Sequence, residues 1–129
     1  NWMPDIIHLH GWFASLFPLY FKTLFIDDPV FDNSKIVSSI YNKSFEGSLS
    51  KKITEKIQFD GIEEDLSNLS SPNFESLTDL MIKYSDSVII SSDNIDKSTL
   101  NSIKSHSKDS LNFKDSSNDE MLMEFLLKK

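Results

Sequence analysis

The hydrophobic residues of this chain fall into short apolar runs and into longer stretches with helical spacing. The short runs, bounded by turn-forming residues, predict buried parallel strands over residues 5–9, 35–41 and 87–91. Apolar residues at i, i+3 and i+4 predict helices over residues 50–57, 74–84 and 96–105. Strands that alternate with helices are typical of an α/β fold. We therefore predict a Rossmann-like parallel sheet with flanking helices, with about three strands and four to five helices from this chain.

The aromatic-rich stretch over residues 12–26 predicts a helix that is apolar on nearly every side and is therefore buried. Pro18 lies inside this stretch, which predicts a kink. The stretch is shorter than the roughly 18 to 20 apolar residues that a membrane span needs. We expect its aromatic rings to form core rather than a stacking platform for a ligand.

The later half of the chain is rich in Ser, Asp, Asn and Lys. Residues 107–117 are polar and poor in aliphatic side chains, which predicts a linker. Ser117-x-x-Glu120 has the pattern of a capping box and predicts the start of a terminal helix. We therefore divide the chain into a domain at 1–106, a polar linker at 107–117 and a terminal helix at 118–129. The chain starts at Asn1 and enters a strand almost at once, so we expect a fragment or a processed product.

The charge composition narrows the classes of ligand. The formal net charge is −7, and all 13 basic residues are lysine. Arginine is the usual bidentate partner of phosphate and guanine, so its absence argues against a nucleic-acid partner. It also argues against a self-sufficient site for a nucleotide sugar. The chain has no cysteine, no candidate membrane segment and no signal-peptide pattern, and we expect a cytoplasmic protein with no membrane partner.

The carboxyl ends of parallel strands are where ligands gather, so we place the candidate site there. The sharpest local feature is His8-x-His10, because residues two apart on a strand share a face. Two imidazoles could bind a metal ion, but a complete site needs further ligands, and His106 lies in a polar segment. We expect no metal. The histidines are expected to hydrogen-bond the backbone and order the strand-to-helix turn, with direct ligand contact as the alternative.

Several motifs in order resemble bacterial glycogen and starch synthases. The family segment W-x-P-D-I/V-I/V-H-x-H-D-W-H has its counterpart in Trp2-x-Pro4-Asp5-Ile6-Ile7-His8-x-His10-x-Trp12. The family segment T-I/V-H-N-x-x-Y/F-x-G corresponds to a strand followed by Asn42-x-x-Phe45-x-Gly47. A later family strand resembles Tyr84-Ser85-Asp86-x-Val88 with Ser91. The likeness covers residues 2–94. The chain also resembles short single-domain relatives of the Bacteroidetes type, which share the Ser-Ile-Tyr-Asn form of the second strand.

The resemblance implies part of the N-terminal starch synthase domain of a two-domain GT-B glycosyltransferase. Such enzymes transfer glucose from a nucleotide sugar, usually ADP-glucose, to an α-1,4-glucan. The family's Asp after the second histidine is Gly11 here, its next histidine is Phe13, and its active-site histidine before Asn42 is Tyr41. A lysine-x-glycine motif ahead of the third strand is replaced by Asp79-x-Met81. Loss of the Asp removes a charge, and tyrosine lacks the titration of imidazole near neutral pH.

The resemblance thus implies substrate binding by His10, Gly11, Tyr41 and Asn42, with no residue assigned as catalytic. We expect a glycosyltransferase domain that is incomplete or degenerate in this chain and inactive by itself. Its implied donor is ADP-glucose and its implied partner is an α-glucan. The alternative is a non-catalytic glucan-binding or regulatory module on the same fold. A metal-dependent hydrolase that uses His8 and His10 is a minor third reading.

Overall fold

The protein contains a parallel sheet with the strand order β1-β2-β3-β4 in a computed structural model that describes residues 2–128. The strands are β1 (Ile6–His10), β2 (Lys35–Ile40), β3 (Ser87–Ile90) and β4 (Asp109–Leu111). The helices are α1 (Phe17–Leu24), α2 (Lys52–Phe59), α3 (Phe74–Tyr84), α4 (Lys97–Ser105), α5 (Phe113–Ser116) and α6 (Asp119–Leu127). None of these helices combines the length and the apolar character that crossing a membrane requires. Asn1 and Lys129, at the ends of the predicted units, lie outside the described residues.

The predicted α/β fold with a Rossmann-like parallel sheet is confirmed. The three predicted strands lie side by side in the same direction, with Ile7 opposite Ile36 and Ser38 opposite Val88. Because every strand runs the same way, all carboxyl ends meet at one edge of the sheet. This edge carries the residues that follow β1, β2 and β3.

Both faces of the sheet are covered by helices. One face packs on α3 and α4 through the buried residues Ile40, Met81, Ile82, Val88 and Ile103. The other face packs on α6 through Val37, Ile89 and Leu111, which contact Leu122, Phe125 and Leu126. A third cluster joins α1, α2 and α3 around Leu19, Ile57, Leu69, Leu77 and Leu80. Burial on both faces explains why the strands appear in the sequence as short apolar runs.

Helix α3 begins where its start signal predicts. Asn73 is its N-cap, and the Asn73 side chain accepts a hydrogen bond of 2.9 Å from the backbone N–H of Ser76. The Ser76 hydroxyl in turn accepts a bond of 3.0 Å from the backbone N–H of Asn73. This reciprocal pair satisfies two donors that a helix start leaves free.

Residues 107–117 differ from the predicted polar linker. They contain β4 and α5, and Leu111 closes one core cluster by pairing with Ile89. A strand of three residues with a single buried side chain shows no alternation of apolar and polar residues, so the hydrophobic pattern of the sequence could not reveal it. The division of the chain into domains stays a prediction.

The predicted helix over residues 12–26 is shorter and less buried than expected. A single 3-10 turn occupies Trp12–Ala14, and α1 starts only at Phe17. Pro18 therefore lies in the first turn of α1, where its missing N–H costs nothing, and it causes no mid-helix kink. Phe13 is 87% exposed, so the aromatic stretch is not wholly core.

Candidate functional site

The side chains of His8 and His10 lie on the same face of β1, as the alternation of a strand requires. Their ring centroids are 4.1 Å apart. His8 Nε2 shares a hydrogen bond of 2.6 Å with the hydroxyl of Ser39, and His10 Nδ1 shares one of 2.7 Å with the hydroxyl of Tyr41. The partners are thus side chains of the neighbouring strand and its tip, whereas the sequence suggested backbone groups.

The two histidines differ in environment. Burial lowers the pKa of His8, and the neighbouring His10 lowers it further. Its partner Ser39 is buried, so this pair joins β1 to β2 inside the sheet. His10 is exposed and can meet a ligand. The hydrogen bond to buried Ser39 thus makes His8 a contact between β1 and β2, whereas His10 and half-buried Tyr41 lie nearer the solvent.

Gly11 turns the chain from β1 into the loop above the site. Its backbone has φ 76° and ψ 174°, a conformation that is essentially restricted to glycine. The Gly11 N–H donates a hydrogen bond of 3.1 Å to the carbonyl of Ser39. The residue that replaces the family's Asp therefore adopts a conformation unsuited to Asp.

The side chain of Asn42 bonds to the loop after β3 rather than to His10 or Tyr41. Its side-chain amide donates a hydrogen bond of 3.1 Å to the carbonyl of Asp93, in the loop after β3. Of the four residues predicted to bind substrate, the structure thus brings His10 and Tyr41 into contact, with Gly11 next in the chain. Asn42 links the tips of β2 and β3. Substrate binding by these residues stays a prediction.

The two histidines have no further metal ligand beside them. Among residues 2–128, no group of three or more His, Asp or Glu side chains is placed to hold a metal ion. His106, the remaining histidine, hydrogen-bonds Asp79 at 2.9 Å in the contact between α3 and α4. The geometry gives no support to the metal-dependent hydrolase reading.

Sequence reasoning missed a set of contacting rings beside the site, which we call the aromatic row and which consists of Phe13, Trp12, Phe45 and Phe74. Phe13 and Trp12 are stacked, Trp12 and Phe45 are tilted, and Phe45 meets Phe74 edge-on. The centroid distances between successive rings are 4.1, 4.4 and 6.2 Å. The helical spacing of the aromatic stretch suggested core packing instead. The break at Gly11 is the one sequence signal that could have placed Phe13 in a loop at the strand tip.

Comparisons with known proteins agree with the motifs. Residues 1–111 match the family model described as the starch synthase catalytic domain. A glycogen synthase of Chlorobium luteolum is 46% identical over 57 residues, which are 44% of this chain and 12% of that protein. A glycogen synthase of Desulfitobacterium hafniense is 31% identical over 88 residues, or 66% of this chain and 18% of that protein. No solved structure matches the chain.

The match to these relatives spans only a small part of their length, 12% and 18% for the two described above. The family model, in contrast, covers most of this chain. The glycogen and starch synthase family inferred from the motifs is confirmed. The chain belongs to the family of starch synthase catalytic domains.

Proposed function

We propose that this chain provides the acceptor side of glucosyl transfer from a nucleotide sugar, ADP-glucose, to an α-1,4-glucan. The observation that carries the proposal is the exposed pair of His10 and Tyr41, bonded at 2.7 Å at the carboxyl edge of a parallel sheet in a member of this family. Imidazole and phenol groups offer hydrogen-bond donors and acceptors to sugar hydroxyls. A neutral, hydroxyl-rich ligand also suits a chain with net charge −7.

The donor half of the reaction requires groups that these 129 residues do not supply. Binding of a nucleotide diphosphate favours arginine forks or glycine-rich backbone cradles. All basic residues here are lysine, and the glycines, Gly11, Gly47 and Gly61, are scattered. Gly11 also offers no carboxylate, so the negative group that the resemblance implies for stabilising an oxocarbenium-like sugar is missing.

A non-catalytic glucan-binding module is the second candidate. The hydrogen bond between Tyr41 and His10 favours this function, because it occupies a ring nitrogen of His10. His10 is a histidine that the family motif retains. In this reading the strand tips hold a glucan, and no transfer follows. Both readings require glucan binding at the same edge, and they differ only in whether added donor-binding groups restore transfer.

Activity assays separate these readings from independent catalysis. The protein is incubated with radiolabelled ADP-glucose and glycogen, and label in the polymer is measured. We expect no incorporation above a protein-free blank, because the donor-binding groups are missing. Retardation of the same protein in gels that contain glycogen is the expected positive result. Incorporation at a rate proportional to protein concentration contradicts the inactive acceptor-side proposal, and unchanged mobility in glycogen gels contradicts glucan binding.

Substitution of Tyr41 by phenylalanine tests the pair at the strand tips. Tyr41→Phe removes only the hydroxyl that bonds His10. Because that bond is exposed, we expect the free energy of unfolding to change by less than about 1 kcal/mol. Retardation in glycogen gels should weaken, since the site loses a donor for sugar hydroxyls. Full retention of glycogen binding by this variant would place the glucan elsewhere on the protein.

A further inference from the structure

The aromatic row runs from solvent into the protein. Phe13 is 87% exposed at one end, and Phe74 is 9% exposed at the other. Trp12 and Phe45 lie between them and are half-buried. The buried end anchors the row, so the outer ring of Phe13 is held in place by stacking at 4.1 Å on Trp12. Because stacking on Trp12 fixes one side of the Phe13 ring, its other, exposed side is a preformed surface on which the flat apolar side of a ligand can pack.

The inner rings of the row border an open cavity of about 400 Å³. Phe45 and Phe74 form its apolar side. The other side-chain-bearing lining residues are polar: Ser44, Ser48, Asn73, Glu75 and Asp96. Within residues 2–128, no lysine belongs to the lining. Aromatic faces and hydrogen-bonding groups thus border one space at the same edge of the molecule as the site.

The chemistry of this lining selects a neutral sugar. The C–H face of a pyranose ring is apolar and stacks on aromatic rings, while its hydroxyls donate to carboxylates and amides. Glu75 and Asp96 disfavour phosphates and other anions, and the lining holds no lysine from the described part of the chain beside them. Nucleotides and acidic peptides are therefore poor occupants. A neutral oligosaccharide satisfies both sides of the cavity at once.

We propose that the aromatic row and this cavity form a glucan subsite specific to this chain. One glucosyl ring of an α-1,4-glucan stacks on Phe13, and a later unit of the same glucan, beyond Trp12, enters the cavity and donates hydrogen bonds to Glu75 and Asp96. The identity of the ligand rests on the proposed function, whereas the location rests on the rings and the cavity. Position 13 is occupied by histidine in the family motif, so the stacking surface is this chain's own feature.

Calorimetric titration with maltoheptaose tests the subsite on the full chain. We expect Phe13→Ala to weaken binding about tenfold, because one stacking contact is lost. Phe13→Tyr keeps the aromatic face and should bind more tightly than Phe13→Ala. Phe59→Ala is the matched control, since Phe59 is 91% exposed on α2 and borders neither the row nor the cavity. Glu75→Gln keeps the side-chain size and should weaken binding several-fold through a weaker acceptor.

The outcomes distinguish the subsite from the proposed function. If Tyr41→Phe weakens binding and Phe13→Ala does not, the subsite is overturned and the proposed function survives. If the wild type does not bind maltoheptaose, both are overturned. An equal loss in Phe13→Ala and Phe59→Ala would show a general effect of exposed rings and would also overturn the subsite. Far-ultraviolet circular dichroism of each variant confirms that the fold is retained.

Discussion

Replacement of Asp86 by alanine is expected to lower the free energy of unfolding by about 2 to 3 kcal/mol. Asp86 belongs to the third motif shared with the family, and it lies at the amino edge of the sheet, away from the candidate site. Its carboxylate accepts a hydrogen bond of 2.8 Å from the backbone N–H of Ile36 and contacts Lys22 Nζ at 2.8 Å. Ile36 is fully buried, so alanine at position 86 leaves its N–H without a partner.

The unpaired N–H accounts for most of this loss. A buried donor without an acceptor costs about 1 to 3 kcal/mol. The ion pair with Lys22 contributes less, about 1 kcal/mol at most, because the Asp86 side chain is 37% exposed. The variant also removes the negative charge that faces Lys108, whose pKa is already lowered, mainly by burial. Urea unfolding followed by circular dichroism measures the total change.

Two control variants separate these contributions. Asp86→Asn retains a carbonyl oxygen that can accept from Ile36 and removes only the charge, so we expect a loss of about 1 kcal/mol or less. Asp109→Ala breaks the exposed ion pair with Lys128 and should change stability by less than about 1 kcal/mol. If Asp86→Asn is as unstable as Asp86→Ala, the ion pair dominates and the role assigned to the backbone bond is wrong.

The substitution Gly11→Asp is expected to destabilise the protein by about 1 to 3 kcal/mol and to leave glucosyl transfer undetectable. This change restores the residue of the family motif. The backbone at Gly11, with φ 76° and ψ 174°, is nevertheless one that residues with a side chain rarely adopt. Any side chain at position 11 is therefore strained in the present backbone, and a carboxylate there favours a shift of the turn.

The matched variant Gly11→Ala isolates the backbone contribution. No heavy atom lies within 4 Å of a Cβ built at Gly11, so alanine adds no steric clash there. We therefore expect Gly11→Ala and Gly11→Asp to have similar unfolding free energies in urea titrations. A fully stable Gly11→Asp variant would show that the turn adapts, and would refute the expected strain.

The sequence predicted those elements whose signals are local in the chain and missed those that depend on contacts between distant segments. The start of α3 followed from Asn73, because a capping residue and the apolar period after it are local signals. The strand β4 did not follow, because its contribution is a single buried leucine at position 111. The exposure of Phe13 was also missed, since an apolar period records the types of side chains and not whether another element covers them.

The sequence by itself determined the fold class, the three longer strands and the family, while the placement of the site at the strand tips stays a prediction. Each of these depends on runs or motifs that are read along a continuous segment. Only the tertiary structure decided that Tyr41 meets His10, that Asp86 holds the N–H of Ile36 and that four rings meet beside a polar cavity. The first two contacts join residues 31 and 50 positions apart in the chain, and strand register brings them together.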